Sequence, residues 1–252
     1  MSRFEKAGDA FLRASHAVSR TLSAADRGEP MPNYLTDYPA NAKLIILPPP
    51  QEYTPPKNNF KAIVEDRRTS RRYDTNDFLN IEQLSWLLWS TQGMTAYSEK
   101  RGLTTRNVPS AGSRHPFETY LLIQRVGNLT PGIYGYIPQE HAIYLITDNY
   151  KTIKAIHAST FDQKQVITAS VNFIWVANVY RSSWRYQERA YRYLFMDAGH
   201  VCQNLYLAAE SEGNAVCAIG AYKDDEANQA LNLDGKENFV IYMASVGKPQ
   251  PS

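Results

Sequence analysis

The feature that most constrains this 252-residue sequence is an apolar run with a long amphipathic segment behind it. Residues 171–180 are almost continuously apolar, which is typical of a strand at a buried position in a sheet. Residues 189–212 predict the strongest helix of the chain, which ends at Gly213. One apolar stripe of this helix predicts the face that packs against the core: Leu194, Ala198, Val201, Leu205, Ala208 and Ala209.

Shorter patterns complete the fold prediction. Helices are predicted at residues 4–25, 59–65 and 81–92, and Gly93 is the expected end of the third. Strands are predicted at residues 119–126, 133–136, 142–147 and 239–246, the middle two forming a hairpin. Residues 96–107 are polar and are predicted as a loop. The elements alternate without regular βαβ repetition, so the sequence predicts one α+β domain.

The N-terminal part differs in composition from the rest of the chain. Residues 28–56 are rich in proline and tyrosine, and an extended segment at 44–47 leads into three consecutive prolines. We therefore divide the chain into an N-terminal helix and proline-rich arm, residues 1–58, and a main domain, residues 59–252. Such an arm seldom makes a core of its own, so we expect it to wrap another part of the molecule or a partner subunit.

Composition narrows the class of protein. The 27 basic residues are balanced by 25 acidic ones, so we expect no dedicated nucleic-acid binder. The two cysteines, Cys202 and Cys217, show no metal-ligand spacing, so we expect reduced, buried thiols and no metal site. The first thirty residues carry charges throughout, and no apolar stretch is long enough to span a bilayer. We therefore expect a cytoplasmic protein without a signal peptide or a membrane partner.

A basic segment precedes the helix predicted at residues 81–92. Its sequence is Asp66-Arg67-Arg68-Thr69-Ser70-Arg71-Arg72-Tyr73. Arginine presents a planar fork of donors that fits phosphate oxygens, and hydroxyl or backbone N–H groups can fill the remaining lone pairs. Three interpretations stay open for this segment: a site for a phosphate-bearing ligand, a solvated basic turn, or a patch for nucleic acid.

Two loops of small residues could also approach a ligand closely. The first is Pro109-Ser110-Ala111-Gly112-Ser113, before the strand predicted at 119–126, and the second is Ala218-Ile219-Gly220-Ala221, after the long helix. Small side chains let the backbone approach a ligand and leave N–H groups free to donate. An ordinary turn explains each loop equally well when the loop is taken alone.

In this order, the segments resemble the FMN-dependent nitroreductase superfamily, and within it the SagB-type oxidoreductases. Residues 67–71 resemble the Arg-Arg-Ser-x-Arg signature, and residues 108–120 resemble the Pro-Ser-Ala-Gly loop with its strand. Residues 189–213 are similar to the long central helix, and residues 218–220 and 245–249 match the late loops. The resemblance covers residues 62–249 and rests on the order of five motifs, none of which is specific alone.

The resemblance implies a nitroreductase-like fold, with a central, mostly antiparallel sheet flanked by helices. It also implies a homodimer with one FMN per subunit and two flavin sites at the interface. In such proteins the flavin carries the redox step and the protein supplies position and electrostatics. The residues expected to bind FMN are Arg67, Arg68, Thr69, Arg71, Pro109, Ser110, Ala111, Gly112, Ile219, Gly220 and Lys248.

In one place the chain departs from the SagB pattern. SagB-type enzymes that form azoles carry a Lys-Tyr pair after the central strand, and this chain has Trp184-Arg185-Tyr186 there. Arginine is effectively always protonated, so Arg185 cannot be a general base. We expect Tyr186 as the catalytic acid/base group and Arg185 as its neighbouring cation, which requires a turn or a helix start here. Packing of Tyr186 against the long helix is the alternative.

The resemblance implies an enzyme that dehydrogenates a peptide-derived or small-molecule substrate, with hydride transfer to flavin N5. Any peptide-recognition or cyclisation partner would be a separate biosynthetic protein, because this chain carries no such domain. Two alternatives stay open. One is an NAD(P)H-dependent reductase of nitro compounds or quinones, and the other is a flavin-binding protein without turnover.

Overall fold

The computed structural model describes residues 3–16, 22–98 and 102–250, with side chains from Lys6 onwards. The strands are β1 (Leu44–Ile46), β2 (Met94–Ser98), β3 (Leu103–Arg106), β4 (Phe117–Ile123), β5 (Gly132–Ile137), β6 (Ala142–Thr147), β7 (Val171–Asn178), β8 (Ala215–Ile219) and β9 (Asn238–Gly247). The helices are α1 (Arg3–Ala14), α2 (Phe60–Asp66), α3 (Ile81–Gln92), α4 (Tyr150–Ser159), α5 (Lys164–Thr168), α6 (Val179–Tyr186), α7 (Ala190–Ser211) and α8 (Asp224–Ala230).

Seven strands form the main sheet in the order β1-β6-β5-β4-β7-β9-β8, and neighbouring strands are antiparallel throughout. Strand β7 lies near the middle, between β4 and β9. The mixed α+β class and the antiparallel sheet flanked by helices are thus confirmed. None of the described helices has both the length and the apolar character that crossing a membrane requires.

The sheet has helices on both faces, which explains the continuous apolar run of β7. Phe173 and Trp175 face the layer of α3 and α7, where Leu87 and Leu205 are fully buried. Ile174 and the residues on its side of β7 face α4, α5 and α8. Because both faces of β7 are covered, its sequence does not show the alternation of polar and apolar residues that a half-buried strand shows.

Helix α3 is the element predicted most accurately. Asn80 begins it with a reciprocal capping box, in which its side chain accepts from the Gln83 N–H at 2.8 Å and Gln83 Oε1 accepts from the Asn80 N–H. Gly93 ends it, donating its N–H to the Trp89 carbonyl. Such a cap satisfies N–H groups that the first turn of a helix leaves without partners.

The prediction of a loop at residues 96–107 is wrong for the described part of that range, and residues 99–101 lie outside the described residues. Strands β2 and β3 pair there as an antiparallel hairpin, with Met94 opposite Arg106. Thr104 and Arg106 are buried on one face of β3, while Thr105 between them is exposed. The period of a strand is present, but its buried face is polar, and a search for apolar alternation could not detect it.

Three further boundaries differ from the predictions. The helix predicted at residues 4–25 ends at Ala14, and residues 22–28 form turns in which Ser23 Oγ donates to the Asp26 carboxylate at 2.8 Å. Side chains of this kind compete with a helix for backbone partners; residues 17–21 of that prediction lie outside the described residues. Val179 and Tyr180 begin α6 rather than ending β7, and Ala218 and Ile219 belong to β8 rather than to a loop.

The arm packs on its own protomer. Asn33 and Leu35 accept hydrogen bonds from Arg181 of α6 through their carbonyls, and the Trp184 indole donates to the Glu29 carbonyl at 3.1 Å. Further along, β1 pairs with β6 at the edge of the main sheet. Of the two expectations for the arm, wrapping another part of the same molecule is the one seen here.

Candidate functional site

The arginine segment runs along one edge of the main sheet. Thr69 forms a parallel bridge with Val216 of β8, and the Ser70 N–H donates to the Val216 carbonyl at 3.0 Å. Further along, the Asp74 N–H donates to the Lys248 carbonyl at 2.9 Å. This end of the sheet, formed by β8 and the end of β9, therefore brings two sequence-predicted groups together, the arginines and Lys248.

Tyr206 of α7 holds the arginine segment against β8. Its hydroxyl lies 3.0 Å from Thr69 Oγ1 and accepts from the Ala218 N–H at 2.9 Å. The Arg67 guanidinium carbon stands 5.2 Å from the centre of the Tyr206 ring, a cation–π distance. One partly buried tyrosine thus fixes the positions of Arg67, Thr69 and the end of β8.

The outer side of this segment fits a phosphate group. Arg68, Arg71 and Arg72 are exposed, and Gly220 is exposed with no atom within 4 Å of where a Cβ would stand. Backbone can therefore approach a ligand at Gly220 without hindrance. Ile219 differs, because its side chain is buried in the core and only its backbone faces the loop.

The Pro-Ser-Ala-Gly loop is anchored by one buried carboxylate. Ser110 Oγ donates to Asp197 Oδ2 at 2.6 Å, and the Ala111 N–H donates to the same oxygen at 3.2 Å. Ser110 Oγ in turn accepts from the His115 N–H at 3.0 Å. Burial raises the pKa of Asp197, while the bonds from Ser110 and Ala111 oppose the shift. Asp197 on α7 therefore sets the conformation of the loop.

Gly112 of this loop touches the proposed catalytic tyrosine. Its φ is 59°, in the left-handed region, and a Cβ there would stand 2.3 Å from Tyr186 Oη. The Tyr186 ring packs edge-on against Tyr193 at 4.8 Å, and the Arg185 guanidinium carbon lies 5.7 Å from the Tyr186 ring centre. Arg185 and Tyr186 are the last two residues of helix α6, rather than a turn or a helix start, and they do not lie in an extended strand. The packing alternative is also partly realised, through Tyr193 of α7.

The predicted residues form two groups within one protomer. The loop group contacts α7 at Asp197, and the arginine group contacts the same helix at Tyr206. Nine residues separate these positions, which corresponds to about 14 Å along a helix axis at 1.5 Å per residue. The two groups therefore lie at successive levels of α7 rather than around one point.

Sequence reasoning missed the residues that hold these groups in place. Asp197 and Tyr206 lie on the helix that was predicted correctly, but their roles depend on loops distant in sequence. Asp197 gave one signal, since it lies three residues after Leu194 and four before Val201, on the stripe of the helix that is buried. A buried carboxylate needs hydrogen-bond donors from another segment.

A cleft of about 440 Å³ opens between the arm, α3 and α7. Trp86 and Trp89 line it with their rings stacked 5.4 Å apart, and Asn204 donates to the Asn107 carbonyl at 3.1 Å. None of the predicted cofactor-binding or catalytic residues lines this cleft. Its size and mixed lining are those of a small-molecule site.

Comparison with known proteins identifies the family. The model of the Nitroreductase family matches residues 64–248, so the chain belongs to that family and is an oxidoreductase. The Methanocaldococcus jannaschii protein MJ1384, whose name also places it among nitroreductases, is 32% identical over 182 residues, covering 72% of this chain and 87% of its own.

Two other relatives are named for natural-product processing. The trifolitoxin-processing protein TfxB of Rhizobium leguminosarum bv. trifolii is 32% identical over 131 residues, which cover 50% of this chain and 35% of TfxB. One chain of the E. coli microcin synthetase McbBCD complex, solved with truncated pro-MccB17 bound, is 19% identical with a TM-score of 0.63. That match covers 98% of this chain and 93% of the other, and it shows a shared fold.

Proposed function

We propose that this protein is an FMN-dependent, SagB-type oxidoreductase that dehydrogenates a peptide-derived or small-molecule substrate. The contact between Tyr186 and Gly112 carries the proposal, because it joins the proposed acid/base group to the loop proposed to line the flavin. The names of TfxB and of the microcin synthetase support a role in processing a precursor made elsewhere. Separate biosynthetic proteins would then supply that precursor.

The proposed FMN site combines charge with open backbone. Arg67, Arg68 and Arg71 would hold the phosphate, with Thr69 beside them, and Lys248 would supply positive charge at the ring. Pro109 to Gly112, together with the backbone of Gly220, would line the ring. Bound FMN would supply a two-electron acceptor for hydride. The purified protein should then be yellow and release FMN, in a ratio of one per subunit, when it is denatured.

Positive charge surrounds the proposed acid/base group. Burial lowers the pKa of Arg114, and the charge of Arg185 lowers it further, so both guanidinium groups lie near Tyr186. Arg189 donates through Nε to the Tyr193 hydroxyl at 2.7 Å on the other side. The proposed acid/base group therefore stands among cationic side chains, close to where a dehydrogenation must place or remove a proton.

A Tyr186→Phe variant tests the catalytic assignment. Loss of the hydroxyl should slow substrate-driven flavin reduction by about 10²- to 10⁴-fold, the usual contribution of a positioned acid or base. FMN content must be measured in the same sample, with Tyr193→Phe as the matched control. If both variants load flavin and reduce it at the parent rate, Tyr186 is a packing residue and the assignment fails.

We propose a homodimer whose two flavin sites lie at the interface. Two observations support it: the loop group and the arginine group sit at separate levels of α7, and the exposed side of α7 carries large apolar side chains. Phe195 and Met196 there are 55% and 53% exposed, and Gly199 next to them leaves open space for a second helix. Sedimentation should give a dimer for the parent chain and a monomer for Met196→Glu, while Tyr150→Glu, on exposed α4, keeps the dimer.

The name of MJ1384 favours a second candidate function, an NAD(P)H-dependent reductase of nitro compounds or quinones. The two functions differ in what reduces the flavin. Stopped-flow mixing with NAD(P)H alone decides between them. Flavin bleaching at a rate matching turnover would establish the reductase, and slow or absent bleaching would support the dehydrogenase. Flavin that no donor reduces would indicate binding without turnover.

A further inference from the structure

Three arginines are buried between the arm and the main domain. Arg106 of β3, Arg114 before β4 and Arg181 of α6 are 7%, 3% and 3% exposed. They surround His115, whose pKa is lowered to about 3 by burial and by the positive charges of all three. The imidazole is thus neutral near pH 7 and does not add to the charge of the cluster.

Two of these arginines donate hydrogen bonds to the same stretch of the arm. Arg181 donates to the carbonyls of Asn33 and Leu35 at 2.8 and 2.9 Å, and Arg106 donates to the Tyr34 carbonyl at 3.5 Å. Burial lowers the pKa of Arg106, and the positive charge of Arg181 lowers it further, so the two guanidinium groups lie within electrostatic range of each other around residues 33–35.

The cluster holds more positive charge than the described residues compensate. Glu118 is the carboxylate that faces it, with Oε1 2.6 Å from Arg181 Nη2. Arg106 Nε, Arg114 Nε and Arg181 Nη1 are buried without a partner among the described residues, and so is Thr104 Oγ1. Thr104 and Arg106 share the buried face of β3, two residues apart. Buried charges of this kind need a counter-charge or hydrogen-bond acceptor.

We propose that one small monovalent anion binds between Arg106, Arg181 and Thr104, beneath arm residues 33–35. Such an anion would accept from the two guanidinium groups and the hydroxyl, and together with Glu118 it would balance the charges of Arg106 and Arg181. It would also tie β3, α6 and the arm together at one point. The site uses none of the residues proposed to bind FMN, so the anion proposal can be tested independently of the flavin proposal.

Thermal unfolding in different sodium salts at equal ionic strength tests the proposal. In chloride or bromide, each tenfold rise in the anion concentration above its dissociation constant should raise the folding equilibrium constant tenfold. Gluconate is too large to enter the site, so it should give no such rise. Formate serves as a carboxylate probe. Stabilisation by halides assigns an inorganic anion, and stabilisation by formate alone assigns the carboxylate of a ligand to the same site.

Arg106→Gln should abolish the anion dependence, and Thr104→Val, a milder change, should weaken it. Arg125→Gln is the matched control, because half-buried Arg125 also has a buried, unpartnered Nε but bonds the Ala169 carbonyl, and no other cation shifts its pKa. Bromide soaked into crystals of the unmodified protein should give an anomalous peak between Arg106 and Arg181. Identical melting in all salts, or peaks confined to the surface, would overturn the proposal.

Discussion

The neutral state of His115 should make this protein sensitive to acid. The ring is buried, and its pKa is lowered from an ordinary 6.5 to about 3, first by burial and then by Arg106. Because the folded pKa lies below the unfolded one, the stabilisation is complete above pH 6.5 and is lost as the pH falls towards 3. At about 1.36 kcal/mol per unit of pKa shift, the free energy of unfolding falls by about 5 kcal/mol in total. About half of this loss occurs between pH 7 and pH 4.5.

The perturbation that isolates this effect is His115→Asn. His115 has a φ of 41°, and asparagine tolerates this left-handed conformation better than most residues. Urea unfolding at pH 7, 5.5 and 4.5 should show that the free energy of unfolding of the parent falls by about 2.5 kcal/mol more than that of the variant. His16→Asn, at an exposed position, is the control. Parallel curves for parent and His115→Asn would refute the reasoning.

Two other substitutions test the packing around the site. Gly112→Ala should destabilise the fold by about 1–2 kcal/mol in urea unfolding, since alanine pays for the left-handed φ and its Cβ displaces the Tyr186 hydroxyl. Gly8→Ala, in exposed α1 with open space, should instead be neutral or stabilising, and equal effects would contradict the geometry. Tyr73→Phe should lower the free energy of unfolding by about 1–2 kcal/mol, because the buried Tyr73 hydroxyl donates to the Ser245 carbonyl at 3.0 Å. An unchanged midpoint of urea unfolding would show that this hydrogen bond does not stabilise the fold.

The parts of the fold that sequence predicted well are those with local causes. Helix α3 carries its own capping box and glycine stop, and β7 carries an unbroken apolar run. The hairpin of β2 and β3 escaped prediction because its buried residues, Thr104 and Arg106, are polar, and Arg106 finds its partners in the arm and in α3. Patterns of apolar residues cannot report a polar interior whose partners are distant in sequence.

The candidate site shows the same division. The contact of Gly112 with Tyr186 joins two segments that the sequence marked separately, and nothing in either segment encodes the distance between them. Asp197 and Tyr206 were assigned only to a helix face, yet each fixes a loop that arrives from elsewhere in the chain. Tertiary hydrogen bonds of this kind become visible only when the fold is known.

The bridge between Thr69 and Val216 also affects how the molecule meets other chains. Strand β8 is an edge strand, and an uncovered edge is a template for pairing with another molecule and for aggregation. Thr69 and Ser70 pair with Val216 on that edge, while the opposite edge, β1, is only three residues long and leads into prolines. The basic segment therefore hinders this edge of the sheet from pairing with strands of other chains. Changes that detach the segment from Tyr206 should promote oligomers joined strand to strand.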